Sequence, residues 1–339
     1  MTRLHRRSLL AGLAALAALP TEAAAPQKLR LGLLHTLSPA PFYIAQERGY
    51  FRDGGVDLRF VFFDAAQPIA AAAVAGDIDV GVTALTGGFF NLAEKGALRV
   101  IGGALHEEKG YEGTALLVSD KAYAAGLTTP AKLPGHSVAI TQYGSSFHYM
   151  IGRLAQVLGF NGQSVILRPV QSVPNMLAAV STNQVDATFA VASQAKPFAT
   201  AGKAHIIAWI GDLVPYQITA LFTMQRMINA HPDTLKRFAS AYAKGVADYR
   251  AAFLRLGPDG ERVHDSNTDA AVADIEHYVF TGDPNARQKI LAGVGYYAAD
   301  GALDVQDVLK QLAWFKAQGL VKGDADPHSL IDTQFLPAT

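Results

Sequence analysis

Two segments of this chain repeat one succession of strands and helices, and this repetition constrains the fold more than any other feature. In the first segment a strand at residues 29–34 is followed by a helix, a strand, a second helix and a third strand that ends at Val82. In the second segment the same five elements span residues 137–189. Strands that alternate with helices form parallel sheets covered by helices. Each segment therefore predicts one α/β unit.

The spacing of the two copies is nearly constant. Asp79 and Asp186 occupy equivalent positions, and so do Gly49 and Gly159, at which the first helix of each unit is predicted to end. Both aspartates lie within apolar strand patterns, so we interpret them as structural rather than as an acid–base pair. The predicted elements are strands 29–34, 56–63 and 76–82 with helices 42–48 and 68–75, then strands 137–140, 165–170 and 183–189 with helices 147–158 and 173–180.

Two further strands, at residues 114–119 and 219–223, are predicted to carry the chain from one unit to the other and back. Beyond them the pattern is mostly helical, with helices at about 231–254, 268–280 and 305–318. This order predicts one lobe inserted into another, joined by two strands that permit closure around a ligand. The predicted division is residues 26–118 and 220–339 for lobe 1 and residues 119–219 for lobe 2.

The first 25 residues contain the three parts of an export signal in order. Arg6 and Arg7 precede an uncharged run at residues 8–19, and small residues follow at positions 23–25. The run is shorter than the roughly 20 residues that a membrane span needs. We therefore predict a signal cleaved near Ala23 to Ala25 and a soluble periplasmic protein. The adjacent arginines favour the twin-arginine route.

Composition and charge exclude several classes of function. The absence of cysteine excludes disulfide scaffolds, thiolate zinc sites, iron–sulfur clusters and thiol nucleophiles. Basic and acidic side chains both number 29, without the basic surplus that nucleic-acid binding requires. No Walker A, Gly-x-Ser-x-Gly or His-Glu-x-x-His motif occurs. We expect a binding protein without enzymatic activity, metal or cofactor.

The candidate site follows from the predicted sheets. Ligands of open parallel sheets bind beyond the carboxyl ends of the strands, so the loops after the first and third strands of each unit should face one cleft. The segment 143–147 is the most suggestive, because glycine and two serines at a helix start offer amides and hydroxyls to an anion. The predicted ligand-binding residues are His35, Thr36, Ser38, Phe42, Thr83, Thr86, Thr141, Tyr143, Ser145, Ser146, Phe147 and Phe189.

Each candidate also has a structural interpretation. Helix capping would explain Ser145 and Ser146, and core packing would explain the aromatic residues. Apart from His35, the predicted loops lack basic side chains, so a bound anion should meet dipoles and hydroxyls rather than cations.

Several motifs in combination resemble a known family. Leu-Gly-Leu-Leu-His-Thr and Pro-Phe-Tyr-Ile-Ala-Gln-Glu-Arg-Gly-Tyr-Phe lie within residues 31–51, Ala-Gly-Asp-Ile-Asp-Val-Gly spans 75–81, and His-Pro-Asp-Thr-Leu-Lys-Arg-Phe spans 231–238. Over residues 29–255 the chain resembles the substrate-binding proteins of nitrate, sulfonate and taurine ABC importers, in a superfamily that includes thiamine-pyrimidine binders. The resemblance implies a two-lobed type II periplasmic binding protein fold with two hinge strands.

The resemblance also implies a function. It predicts a monomeric periplasmic component of an ABC importer that holds a small organic anion, such as a sulfonate, a taurine-like compound or an aromatic carboxylate, and delivers it to a permease at the inner membrane. Two alternatives remain open at this point. One is a binder of a thiamine pyrimidine precursor, and the other is an exported enzyme using the same cleft with His35 or His148 as base.

The arginine pair generates a test of the export route. Replacing both residues by lysine, Arg6→Lys with Arg7→Lys, should stop periplasmic accumulation, because the pair is what distinguishes this signal from a general one. Cell fractionation with immunoblotting measures the outcome. Unchanged accumulation of the double variant would contradict the twin-arginine route and leave secretion itself standing.

Overall fold

The computed structural model describes residues 25–324 and 326–339. The predicted export signal therefore lies outside the described residues, apart from Ala25. Two five-stranded sheets and one three-stranded sheet organise the described chain. Among the described residues, no helix is both long enough and apolar enough to cross a membrane.

The first unit builds one five-stranded sheet. Its elements are β1 (Gln27–Leu34), α1 (Ala40–Glu47), α2 (Tyr50–Asp53), β2 (Val56–Phe63), α3 (Ala66–Ala75), β3 (Val80–Ala84), α4 (Gly87–Glu94) and β4 (Leu98–Gly103). A short strand, β5 (Leu105–Glu107), then leads out of the unit. β1 pairs in parallel with both β2 and β3, as the alternation of strands and helices predicted.

The second unit repeats this architecture. Its elements are β6 (Thr114–Ser119), α5 (Asp120–Ala124), β7 (Ser137–Ile140), α6 (Ser146–Leu158), β8 (Ile166–Pro169), α7 (Val173–Ser181), β9 (Ala187–Val191), α8 (Ala192–Thr200), β10 (Ala204–Trp209) and α9 (Ile210–Leu213). β7 pairs in parallel with β8 and β9, so the second sheet has the same parallel core as the first.

The chain returns to the first unit and ends in helices. The remaining elements are β11 (Tyr216–Gln217), β12 (Thr219–Met224), α10 (Gln225–Ala230), α11 (Pro232–Phe253), α12 (Ser266–Glu276), α13 (Ala286–Ala292), β13 (Tyr296–Tyr297) and α14 (Val305–Ala317). Helix α11 packs on α1, α2 and α12, whereas α13 packs on α8 of the second unit. The carboxyl-terminal segment therefore contacts both units.

The two sheets have the same strand order. The first is β2-β1-β3-β12-β4 and the second is β8-β7-β9-β6-β10. In each, the fourth strand is the one that follows a crossing, and it runs antiparallel to its neighbours. Each crossing thus supplies a strand that completes the sheet it enters.

The crossings themselves are short. β5 and β11 pair with each other, and β13 adds to β5, in the three-stranded sheet. Glu107 at the end of β5 is fully buried and accepts hydrogen bonds from the backbone amide and hydroxyl of Thr114. Burial raises the pKa of this carboxyl. Because the crossing is complete before Thr114, residues 114–118 pair within the second sheet, although the predicted division put them in lobe 1.

The third strands begin later than the sequence predicted. β3 starts at Val80 and β9 at Ala187, because the residues before them close the preceding helix. Gly76 and Asn183 adopt left-handed conformations there, with φ of 87° and 58°. Gly49 and Gly159, the predicted helix stops, are left-handed as well, with φ of 74° and 73°.

Asp79 and Asp186 are structural, as the repeat predicted. The Asp79 carboxylate accepts hydrogen bonds from the backbone amide of Arg30 at 2.8 Å and from its guanidinium. The Asp186 carboxylate accepts from the backbone amide and hydroxyl of Ser137 at 2.7 and 2.8 Å. In both units the acceptor follows the donor by 49 residues. The same bond therefore ties the first strand of each unit to the start of the third.

This repeated bond yields a stability prediction. Asp186→Ala should lower the free energy of unfolding at pH 7 by about 1–2 kcal/mol, the value for hydrogen bonds to a charged group reduced for partial exposure. Burial alone would raise the pKa of Asp186, but the hydrogen bonds from Ser137 and the nearby His136 outweigh it and lower the pKa. The contribution should therefore be complete above about pH 4 and be lost as the pH falls through the folded-state pKa.

Urea unfolding of wild type and variant between pH 7 and pH 3 measures this difference. Asp57→Ala is the matched control, because Asp57 is exposed and its side chain makes no hydrogen bond to another described residue. Equal losses in the two variants, or a difference that does not decrease as the pH falls below about 4, would contradict the assignment.

Candidate functional site

A cavity of about 60 Å³ lies where the loops of the two units meet. The first unit contributes Leu34, the last residue of β1, and Ala84, the last residue of β3. The second contributes Val191 at the end of β9 and Thr141 directly after β7. The carboxyl ends of the strands thus meet at the cavity, as expected for ligand sites of open parallel sheets.

Two buried hydroxyl groups face this cavity without a partner. Thr141 and Ser146 are 4% and 6% exposed, and both line the cavity. Neither side chain makes a hydrogen bond to another described residue. These two groups are therefore available to a ligand.

The other hydroxyls at the cavity are already engaged. Those of Thr36 and Ser38 bond to each other at 2.8 Å, and the Thr219 hydroxyl accepts from the Leu105 amide at 2.8 Å. Thr114 donates to Glu107. These side chains differ in this respect from Thr141 and Ser146 of the second unit, whose hydroxyls make no hydrogen bond to another described residue.

Four helices begin at the cavity wall. Ala66 starts α3, Ser146 starts α6 and Val173 starts α7, and Gln194 lies in the first turn of α8. The first amides of a helix have no acceptor within the helix, and this end carries partial positive charge. Among the described residues, those that line the cavity include no Asp, Glu, Lys, Arg or His. Among the groups that line the cavity, the helix starts are therefore the source of partial positive charge.

The rest of the wall is apolar. The rings of Phe147 and Phe189 stack with centroids 6.0 Å apart and an interplanar angle of 16°. Leu34, Val173 and Ile218 complete this wall. The cavity thus combines a polar part, made by hydroxyls and helix starts, with an apolar part.

Direct hydrogen bonds join the two units. The amide of Gly87 at the start of α4 donates to the carbonyl of Gly144 at 2.9 Å. The amide of Val173 at the start of α7 donates to the carbonyl of Asp64 at 3.2 Å. These bonds join loops of opposite units, so the structure represents a closed arrangement.

The structure brings half of the predicted site residues together. The six that line the cavity are Thr36, Ser38, Thr141, Ser146, Phe147 and Phe189. The other six lie elsewhere. Phe42 is fully buried in the core, where its ring stacks on Tyr242 with centroids 4.2 Å apart. Thr83 is buried without lining the cavity, since the neighbouring Ala84 faces it instead.

Two predicted residues cap helices, which was the competing interpretation for Ser145. The Thr86 side chain accepts from the Phe89 amide at the start of α4, and the Ser145 side chain accepts from the His148 amide at the start of α6. Tyr143 is 59% exposed and does not line the cavity.

The two histidines considered as bases also lie outside the cavity. His35 Nε2 donates to the carbonyl of Tyr278 at 2.7 Å. The His148 ring accepts at Nδ1 from the Gly144 amide at 3.2 Å, and burial lowers the pKa of His148. Within residues 25–324 and 326–339, no group of three or more His, Asp or Glu side chains could hold a metal ion.

Several residues that line the cavity were not predicted from the sequence. Thr114 and Thr219 open the two crossing strands, which were predicted, but their first residues were not placed at the cavity. Gln194 belongs to α8, a helix that was not predicted. The position of Gln194 could have been predicted from the segment after Phe189. The third strand of such a unit is commonly followed by a helix.

Comparison with known proteins identifies the fold and the family. The chain is similar to the alkanesulfonate-binding protein SsuA from Xanthomonas axonopodis pv. citri bound to MOPS, at 20% identity, with a TM-score of 0.70 and coverage of 92% of this chain and 100% of that chain. For the periplasmic aliphatic sulphonate binding protein SsuA from Escherichia coli, the identity is 16%, the TM-score 0.68 and the coverage 91% and 93%. For the desulfurization enzyme DSZB, the identity is 13% and the TM-score 0.58, with coverage of 91% of this chain and 97% of that chain.

These likenesses confirm the predicted fold. The chain has the two-lobed type II periplasmic binding protein fold, with two α/β sheets and two hinge strands. No curated protein matches its sequence. The family model described as NMT1/THI5 like matches residues 37–252, more than half of the chain. The protein belongs to the NMT1/THI5-like family, which confirms the resemblance to nitrate-, sulfonate- and taurine-type substrate-binding proteins.

Proposed function

We propose that this protein is the periplasmic substrate-binding component of an ABC importer, and that it holds a small organic anion in the cavity between the two units. The observation that carries the proposal is the pair of free buried hydroxyls, Thr141 and Ser146, set among four helix starts in a cavity without charged side chains. Hydroxyls and oriented backbone dipoles stabilise negative charge where water is excluded. Sulfonates and carboxylates fit this chemistry.

The comparisons support the same class of ligand. Two solved structures with this fold are named as sulfonate-binding proteins, and one of them holds MOPS. Delivery to a permease at the inner membrane, the monomeric state and export by the signal at residues 1–25 belong to the proposal. For the lobes, we propose that lobe 2 begins after β5, because β6 pairs within the second sheet.

The enzyme DSZB has the same fold, so catalysis in the cavity is the alternative to binding alone. A general base must lie within hydrogen-bond reach of the proton it removes. Among the described residues, no histidine or carboxylate lines the cavity, and His148 is engaged with Gly144. These observations favour binding without chemistry.

A binding and turnover experiment tests the function. The purified mature protein should bind at least one small anion from a panel of alkanesulfonates, taurine, nitrate, short carboxylates, aromatic carboxylates and thiamine pyrimidines, as measured by calorimetry. A ligand at about 100 times its Kd should stabilise the fold by about 2.7 kcal/mol, and NMR of the mixture should show the ligand unchanged. Conversion of the bound ligand would establish the enzyme alternative.

Two adjacent serines provide a matched pair of variants. Ser146→Ala removes a free hydroxyl at the cavity and should weaken the affinity for the bound anion by roughly tenfold to a hundredfold, as for a hydrogen bond to a charged group. Its effect on the stability of the empty protein should be below about 1 kcal/mol. Ser145→Ala removes the cap of α6 and should instead lower the free energy of unfolding by about 0.5–2 kcal/mol.

Calorimetry and thermal melting of the two single variants separate these effects. Wild-type affinity in Ser146→Ala would show that this hydroxyl does not bind the anion. Thr141→Val, which keeps the shape of the side chain, provides the second readout, with the same expected loss of affinity.

A further inference from the structure

The closed cavity is small. Its volume is about 60 Å³, whereas an apolar cavity that takes up benzene has about 150 Å³. A buried water needs at least about 10–15 Å³ of such volume, so the cavity holds at most about four to six groups of that size. An aromatic ring together with an anionic head group exceeds this space.

The size applies to the closed protein. The hydrogen bonds between Gly87 and Gly144 and between Val173 and Asp64 join the two units. A larger ligand would have to hold these loops apart and would forgo both bonds. The closed arrangement therefore sets an upper limit on the ligand that allows full closure.

The wall also lacks a group that could pair with a cation on the ligand. Among the described residues, no carboxylate lines the cavity. Glu107 contacts the lining residue Thr114, but its carboxyl is fully buried and both of its oxygens accept hydrogen bonds from Thr114. The apolar surfaces of Leu34, Phe147 and Val173 face the space that the tail of an anion would occupy. An ammonium group buried there would lose its hydration without gaining a partner.

We infer that the ligand is a monoanion of at most about six non-hydrogen atoms with an uncharged tail, meaning a short-chain carboxylate or alkanesulfonate, and that zwitterions and aromatic anions are rejected. This inference rests on the proposed function and narrows it. The carboxylate or sulfonate head group binds at Thr141 and Ser146, and the tail lies against the apolar wall. Size and the absence of a counter-charge determine the selectivity.

Matched probe pairs test the inference by calorimetry on the full mature protein. Propionate carries a methyl group where glycine carries an ammonium group. Ethanesulfonate and aminomethanesulfonate differ in the same way and have a sulfonate head group. Benzoate and benzenesulfonate test size. We expect the short anion with the uncharged tail, in at least one head-group class, to bind at least tenfold more tightly than its ammonium partner and than its aromatic counterpart.

A cavity variant tests whether the wall sets the length limit. Val173→Ala enlarges the cavity and should raise the affinity for butyrate relative to propionate, or for butanesulfonate relative to ethanesulfonate, at least threefold. Val157→Ala is the control, because Val157 lies on α6 and is 51% exposed. Thermal melting confirms that each variant is folded, and the wild-type probe series is decisive even where a variant fails to fold.

The outcomes separate this inference from the function on which it rests. Glycine or benzoate binding within a few-fold of propionate, with the same result among the sulfonates, would overturn the inference and leave the function of anion binding standing. An unchanged length preference in folded Val173→Ala would overturn the placement of the tail. Failure of every small anion to bind would overturn the proposed function itself.

Discussion

The cavity depends on a constraint of parallel sheets, in which strand ends and helix starts lie at the same edge. Each strand of a βαβ unit ends where the next helix begins, so one edge of the sheet collects the positive ends of several helices. In this protein two such edges face each other, and α3, α6, α7 and α8 all begin at the cavity. Two sheets with the same order, each completed by an antiparallel strand from the crossing, hold these edges opposite one another.

This arrangement provides a physical basis for the proposed binding of an anion in a cavity without charged side chains. Backbone dipoles are fixed by the fold, so they need no reorganisation when the ligand enters. A buried lysine or arginine would carry a desolvation cost whenever the cavity was empty. Hydroxyls such as those of Thr141 and Ser146 avoid most of that cost, because water can bond them in the open protein. The direct contacts between the units include two backbone hydrogen bonds, each with a modest net contribution, which suits a protein that must open again to release its ligand.

The repeat could be predicted from sequence because it is encoded in local patterns. Alternating apolar runs, helix-ending glycines at Gly49 and Gly159, and the equivalent aspartates at Asp79 and Asp186 are all visible in a linear sequence, and the structure confirms them. The starts of the third strands were harder to predict from the sequence. The left-handed residues Gly76 and Asn183 extend the helix-closing turn, and this delays the start of each strand relative to its apolar pattern.

Side-chain direction limited the prediction of the site. Phe42 lies near the start of the helix that follows the first strand, but the helix turns its ring into the core against Tyr242. Thr83 and Ala84 are adjacent, and strand alternation sends only Ala84 to the cavity. Ser145 and Ser146 are also adjacent, and the first caps the helix while the second faces the cavity. Such choices between neighbours depend on the packed structure, which composition and spacing do not specify.

The central claim is that an anion is held here by hydroxyls and helix starts rather than by cations. A crystal structure of the protein with bound propionate or ethanesulfonate tests it most directly. The predicted result places the anion's oxygen atoms within about 2.7–3.2 Å of the Thr141 and Ser146 hydroxyls, with no lysine or arginine nitrogen within about 4 Å. An anion paired with a basic side chain, or bound outside the cavity between the two units, would contradict the claim.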